Sequence, residues 1–276
     1  MTPRYSAICC YFGQWPKWFK YWLSSCRLNR GIDFIFVTDI PMDGYDVPEN
    51  VKVLHYSFAE VQEKVRKTFP EIEVSLDRPY KLCDFKTAYG YIFQEYLTDY
   101  DYWGIFDIDT IWGDILKFIP GNDDKHLTKI FPCGHLSFVK NTPEYRESFK
   151  RVNDVEGCTP WQTVFSTPEN YFYDEEGGFE PLFVKTEGER YYGGVDFDNV
   201  LPAWKHDHFT CINFPEKSHF LIYKYENGKI YRCYLKNWKV QIEELSYLHI
   251  SRRALEPRSS STDAFMIYPN VIDDFK

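Results

Sequence analysis

The 276-residue chain is long enough for one large domain or two small ones, and a domain of this size buries about three quarters of its unfolded surface without staples. With 19% aromatic and 26% charged residues, it is excluded from the disordered, collagen-like and low-complexity classes. Its 41 acids against 32 bases, a formal charge of -9, argue against a broad basic face for nucleic acid but leave room for a small anion held by a few bases or a metal.

The apolar run at Tyr5 to Phe12 reads as a buried strand closed by Gly13, and Trp15, Trp18, Phe19, Trp22 and Leu23 then recur at helical spacing after Pro16. Strands are expected at Asp33 to Thr38 and Val51 to Leu54, followed by a helix that Ser57 and Glu60 open as a capping box and that runs to about Thr68. A second helix carries Leu82, Phe85, Tyr89, Ile92, Phe93 and Tyr96 on one stripe, expected to pack under the next strand, Tyr102 to Phe106. Short strands at Ile130 and Leu136 to Val139 precede a helix begun by Thr142 and Pro143. Segment 152–218, rich in Gly, Pro and aromatics, reads as loops around a ligand. Phe220 to Glu226 and Lys229 to Leu235 flank Asn227-Gly228, a strong hairpin signal. Ser246 to Ile250 is expected to be the last strand, before a Ser-rich stretch and a short tail. The expected fold is a single α/β domain over 1–276: a mainly parallel central sheet, a half over 1–120 that ends near the paired aspartates, a half over 121–276, and a C-terminal hairpin appendage.

No apolar stretch approaches the roughly 18 residues of a membrane span, and the N-terminal run is too short for a signal peptide, so a cytoplasmic protein is expected, compatible with peripheral association at the inner face of a membrane. Eight cysteines without any CxxC spacing read as reduced, mostly buried thiols.

The sharpest chemical feature is Asp107-Ile108-Asp109 at the exit of an apolar strand. In extended chain, residues i and i+2 project to the same side, so both carboxylates can meet one divalent cation beyond the strand's carboxyl end, where open α/β sheets bind ligands. The same spacing also suits an Asp109 that merely caps the following turn.

Taken together, ICCYFG near the N-terminus, FVTD after the second strand, RPYKLCDFKTAYGYIF ahead of the DxD, and HISRR near the end resemble the GT-A fold nucleotide-sugar glycosyltransferases, in particular bacterial enzymes of capsular and lipopolysaccharide synthesis. The resemblance implies a nucleotide-diphosphate sugar donor, UDP-sugar foremost, a Mn2+ or Mg2+ ion at its diphosphate, and transfer to a saccharide or lipid-linked acceptor. It places Tyr11, Phe12 and Gly13 at the nucleotide base, with Thr38 and Asp39 at base or ribose. Lys81 and Asp84, in a cluster with Lys86, fall where related enzymes hold donor sugar and diphosphate; Thr87 stands where an Arg is commoner in the family, which makes Asp84 the safer assignment. His249 takes the position of a third metal ligand beside Asp107 and Asp109, a set that suits Mn2+ better than Mg2+, with Arg252 and Arg253 at the departing diphosphate and His135 lining the sugar site. Asp174 and Glu175, followed by Glu176 and the pair Gly177-Gly178, are the candidate catalytic carboxylates on a loop expected to close. Trp161, Tyr171, Phe172, Tyr191, Tyr192 and Trp204 could supply sugar-stacking faces, although most of them are expected to be core.

Two rival readings use the same residues. A haloacid-dehalogenase-type phosphatase also uses DxD after a strand, but near its N-terminus and with Thr where Ile111 stands; a noncatalytic sugar- or nucleotide-binding protein would need no carboxylate base.

Overall fold

In a computed structural model, which describes residues 2–121, 126–132, 134–175, 177–194, 196–202, 208–214 and 220–275 (the backbone alone at Glu189), the chain is a mixed α/β structure built on three sheets. Its elements are β1 (Tyr5–Cys10), α1 (Phe19–Arg27), β2 (Ile32–Thr38), β3 (Val51–His55), α2 (Phe58–Thr68), α3 (Leu82–Phe85), α4 (Tyr89–Ile92), β4 (Tyr102–Phe106), β5 (Thr110–Trp112), β6 (Lys129–Ile130), β7 (Leu136–Lys140), α5 (Pro143–Arg146), α6 (Trp161–Ser166), α7 (Phe179–Thr186), β8 (Tyr191–Tyr192), β9 (Phe197–Asn199), β10 (Ile222–Glu226), β11 (Lys229–Lys236), β12 (Lys239–Leu245), β13 (Tyr247–His249), β14 (Glu256–Pro257), β15 (Ala264–Tyr268) and β16 (Val271–Asp273).

The central sheet has the order β3-β2-β1-β4-β7-β6-β8. Strands β3, β2, β1 and β4 are parallel, whereas β7 runs antiparallel to β4 and to β6, so the sheet is mixed beyond its parallel half. Both faces are covered. On one, Phe34, Phe36 and Phe106 receive Trp22 of α1, whose ring stacks on Phe106 at 5.4 Å. On the other, Ile8, Ile35 and Trp103 belong to one apolar cluster with Val61 and Val65 of α2. Ser57 caps α2 as its sequence requires: the Glu60 amide donates to Ser57 Oγ, and the Ser57 amide donates to the Glu60 carboxylate at 2.7 Å.

The stripe at 82–96 does pack beneath β4, so closely that a Cβ at Gly90 would come within 2.3 Å of the Trp103 ring. It is not one helix, however, but α3 and α4 linked and followed by 3-10 turns. Tertiary packing in several directions outweighs the helical period here.

The C-terminal part departs most from expectation. The Asn227-Gly228 hairpin forms, but as β10 and β11 of a six-stranded sheet of order β12-β11-β10-β15-β16-β14. The tail is not a loose end: Ser259 Oγ donates to Asp274 at 2.7 Å, and β15 and β16 complete the sheet. Phe265 and Tyr225 stack on each other at 4.7 Å, and Tyr21 of α1 packs edge-on against Phe265, so a single apolar cluster runs from β1 to β15. Segment 152–218 holds α6 and α7 as well as loops. Among the described residues no helix is long and apolar enough to cross a membrane, and the cysteines are free thiols.

Candidate functional site

The parallel strands β1 and β4 both end at one edge of the central sheet, and a cleft of about 970 Å³ opens there. The Asp107-Ile108-Asp109 turn lies between β4 and β5. The Asp107 amide donates to the His135 carbonyl at 3.2 Å, Thr110 Oγ1 donates to the Asp107 carbonyl at 2.7 Å, and the Ile250 amide donates to the Asp109 carbonyl at 2.8 Å. Strand β5 pairs antiparallel with β13 so that His249 stands opposite Thr110, and β13 pairs with β9 so that His249 also stands opposite Asn199. This small three-stranded sheet carries the histidine from the far end of the chain to the aspartates.

One ligand atom from each of Asp107, Asp109 and His249 lies within 4.8 Å of the others. His249 Nδ1 is 2.8 Å from Asn199 Oδ1, and Nε2 is 3.3 Å from Asp109 Oδ1. A neutral ring that donates from Nδ1 to Asn199 turns its Nε2 lone pair toward the carboxylates, the orientation a metal-ligating imidazole takes from its outer partner. Two carboxylates and an imidazole fit a hard-to-borderline divalent cation, Mn2+ before Mg2+.

Charge is concentrated behind this group. Lys86, its side chain almost wholly buried, donates from Nζ to Asp107 Oδ1 at 2.7 Å, to Asp174 Oδ2 at 2.9 Å and to the Gly134 carbonyl at 3.0 Å. Burial works against its charge, but Asp107 and Asp174 outweigh burial and hold the ammonium well above its ordinary pKa. Burial raises the Asp107 carboxyl against the pull of Lys86. At Asp109 burial is overcome by His249 and by the Arg252 amide, which donates to Oδ2 at 2.6 Å, and the carboxyl falls well below its usual range. Glu175, which lines the cleft, is raised by burial and then by Asp174.

Of the residues proposed from the sequence, Tyr11, Phe12, Asp107, Asp109, Asp174, Glu175, His249 and Arg252 converge on the cleft. Tyr11 stacks on Trp15 at 5.4 Å and donates to the Gln14 carbonyl at 2.9 Å. Arg252 reaches the hydroxyl of Tyr80 at the cleft mouth. Ser251 and Arg252 both have positive φ, 38° and 59°, a backbone that non-glycine residues hold only where the surroundings over-determine it.

Other proposals need correction. Lys81 and Asp84 do not face the cleft: both are fully buried, Lys81 Nζ donates to Asp84 at 2.9 Å and to the Val164 and Glu169 carbonyls, and Asp84 accepts the amides of Tyr171 and Tyr173. They form a strut that ties the 169–173 loop to α3. His135 does not line the cleft either; it is fully buried, its ring nitrogens find no hydrogen-bond partner among the described residues, and it stacks on His249 at 4.4 Å, where burial holds it neutral. Arg253 lines the cleft beside Arg252, but it is buried and its guanidinium donates to the carbonyls of Leu201, Pro269 and His208, leaving little to offer a diphosphate. Thr38 is buried, with its hydroxyl accepting the Ile40 amide; Asp39 is exposed, and neither residue nor Gly13 lines the cleft.

Asp174 is held by Lys86 rather than free to act as a base, and Gly177 is needed for close packing, since a Cβ there would meet the Tyr171 carbonyl at 2.2 Å. Of the described sugar-stacking candidates only Phe172 reaches the cleft; Trp161 is core, packed tilted or edge-on against Phe69, Phe149 and Phe165, while Tyr171, Tyr191 and Tyr192 pack elsewhere. Trp204 and Glu176 lie outside the described residues.

Residues not singled out from sequence complete the site. Lys86 was visible only as a member of the cluster with Lys81 and Asp84, Asn199 and Tyr80 carried no signal, and Gly134 is required because a Cβ there would fall 1.9 Å from Asp174 Oδ2.

Fold and site together define a mixed α/β protein with an Asp-Asp-His group in a cleft at the carboxyl edge of parallel strands. Residues 7–276 match the sequence family described as "Family of unknown function (DUF6625)", and the chain belongs to that family. No curated protein matches the sequence.

Proposed function

We propose that this chain is a GT-A-like, metal-dependent glycosyltransferase that moves a sugar from a nucleotide-diphosphate sugar, UDP-sugar foremost, to a saccharide or lipid-linked acceptor in polysaccharide synthesis. The observation that carries this reading is the convergence of Asp107, Asp109 and His249 within 4.8 Å, in a cleft of about 970 Å³ that also holds aromatics, two arginines and a second carboxylate pair. Asp107, Asp109 and His249 would hold Mn2+ or Mg2+. When bound, the ion neutralises charge on the leaving diphosphate.

The chain's own residues divide the remaining work. Tyr11 and Phe12 offer faces for the nucleotide base, and Arg252 presents a guanidinium at the cleft mouth for phosphate oxygens. Lys86 neutralises the Asp107 and Asp174 carboxylates from beneath and fixes their positions. Glu175, raised in pKa and facing the cleft, is the carboxyl best placed to exchange a proton with an acceptor hydroxyl.

Thermal unfolding with UDP, GDP, CDP and their sugars, with and without Mn2+, tests the reading. A ligand at 100 times its dissociation constant adds about 2.7 kcal/mol to a folded state that alone binds it. Asp109→Ala should abolish the Mn2+-dependent part. If Asp109→Ala binds UDP-sugar and Mn2+ like the parent, the proposal fails.

A further inference from the structure

The hairpin between β11 and β12 closes in two residues, Asn237 and Trp238, with Lys236 paired to Lys239 across the turn. Both central residues have positive φ, 50° and 62°, the pattern of a type I′ turn. Such a turn favours Asn-Gly, and the neighbouring hairpin of the same sheet has that pair, Asn227-Gly228, with φ of 50° and 79°. At the second position of the outer hairpin stands the largest side chain there is, in a backbone region where bulky residues are outliers.

Packing does not compensate for this strain. Trp238 is 93% exposed, the most exposed of the chain's large hydrophobic residues described, and Val240 and Ile242 beyond it are 68% and 60% exposed. Val240 and Ile242 alternate along β12, so they share one face of the sheet's edge strand. Trp238 therefore buries almost none of its apolar surface against the described chain and leaves it open to something outside.

The charge around the tip tells what that is. Residues 229–245 hold four bases, Lys229, Arg232, Lys236 and Lys239, against two acids, Glu243 and Glu244, a local excess of positive charge in a chain of formal charge -9. Glu243 pairs with Arg232, which also pairs with Asp198, and Glu244 accepts from Lys117 at 2.6 Å, so the positive charge at the tip itself is that of Lys236 and Lys239. Exposed Lys236 and Lys239 directly flank the tryptophan. A protruding indole with aliphatic neighbours and paired lysines is the composition that seats in the headgroup region of an anionic bilayer. Lysines on an edge strand also disfavour the alternative, pairing of β12 with a second copy.

We infer that the β11–β12 hairpin is a membrane-docking element, which inserts Trp238 at the interface of an anionic lipid surface while Lys236 and Lys239 contact the headgroups. The inference stands apart from the chemistry of the cleft.

The test is co-sedimentation of the full chain with vesicles of phosphatidylcholine containing about a third phosphatidylglycerol, against vesicles of phosphatidylcholine alone, with thermal unfolding and light scattering on the same samples. Trp238→Gly and Trp238→Asn both suit the left-handed backbone, so they should unfold no lower than the parent. They should reduce partitioning to the anionic vesicles by at least about tenfold. Lys239→Gln should weaken it by about fivefold, and salt should weaken the parent. The inference is overturned if the parent stays in the supernatant, if both Trp238 variants sediment like the parent, or if Trp238 supports only a lipid-independent dimer that the variants disperse.

Discussion

Lys86 donates to Asp174 Oδ2 across 2.9 Å although 88 residues separate them, and the same ammonium holds Asp107 at 2.7 Å. One buried cation thus fixes the first aspartate of the metal group and the acidic turn on the opposite wall of the cleft. Breaking a buried ion pair from one side leaves an uncompensated charge and typically costs about 3–5 kcal/mol. Lys86→Met should therefore lower stability to urea unfolding by that order. Adding Asp174→Asn to Lys86→Met should recover part of the loss, because it removes one of the two stranded carboxylates. Strict additivity of the two substitutions in a double-mutant cycle would show that the pair is not coupled.

Gly134 follows from the same arrangement. Its Cα lies against the Asp174 carboxylate, with no room for a methyl group. Gly134→Ala should cost about 1–3 kcal/mol through overpacking, measured by thermal or urea unfolding. Asp174→Ser in the same chain should restore part of that stability by withdrawing the obstructing oxygens. A stable Gly134→Ala protein with unaltered nucleotide binding would contradict the contact.

The two arginines after His249 should separate cleanly. Arg253→Ala strands the carbonyls of Leu201, Pro269 and His208 and should destabilise by about 2–3 kcal/mol. Arg252→Ala should change stability by no more than about 0.5 kcal/mol. Its effect should appear instead as weaker binding of UDP in a titration, while the Arg253 variant binds normally as far as it remains folded.

Acidity should act on the metal group in two opposite ways. In the metal-free protein burial pulls the His249 imidazole down, but Asp109, with Asp107 and Glu175 behind it, outweighs burial and holds the ring above its ordinary pKa of 6.5. A group raised on folding stabilises fully below its unfolded pKa, and that contribution is lost as pH rises through the folded value. The metal-free Tm should therefore lose this contribution as pH rises above about 6.5. The Mn2+-induced rise in Tm should grow over the same window, because a ligating histidine must be neutral. His249→Gln should remove both slopes in a scan from about pH 5.5 to 8.5. A variant that keeps both would place His249 outside the metal group.

The apolar periods of the N-terminal half were legible because each element there is local: β1, β2 and β4 are short runs largely buried on both faces, and the Ser57–Glu60 box needs only neighbouring residues. Asp107 and Asp109 were legible for the same reason, since the two-residue alternation at a strand exit is a property of the chain itself. The resemblance of HISRR added His249. Which polar groups face the cleft was decided only in three dimensions. Lys81, Asp84 and Lys86 share a short segment, yet Lys81 and Asp84 pair with each other beneath the 169–173 loop while Lys86 reaches across to Asp107. Arg252 and Arg253 are adjacent, yet the left-handed turn at Ser251 and Arg252 leaves one at the cleft mouth and buries the other among carbonyls. The antiparallel tail strands β15 and β16 were missed because their partners lie across the sheet rather than along the chain. Buried charges take the partners that satisfy them, and long-range strand pairing, which no local pattern records, determines which partners are near.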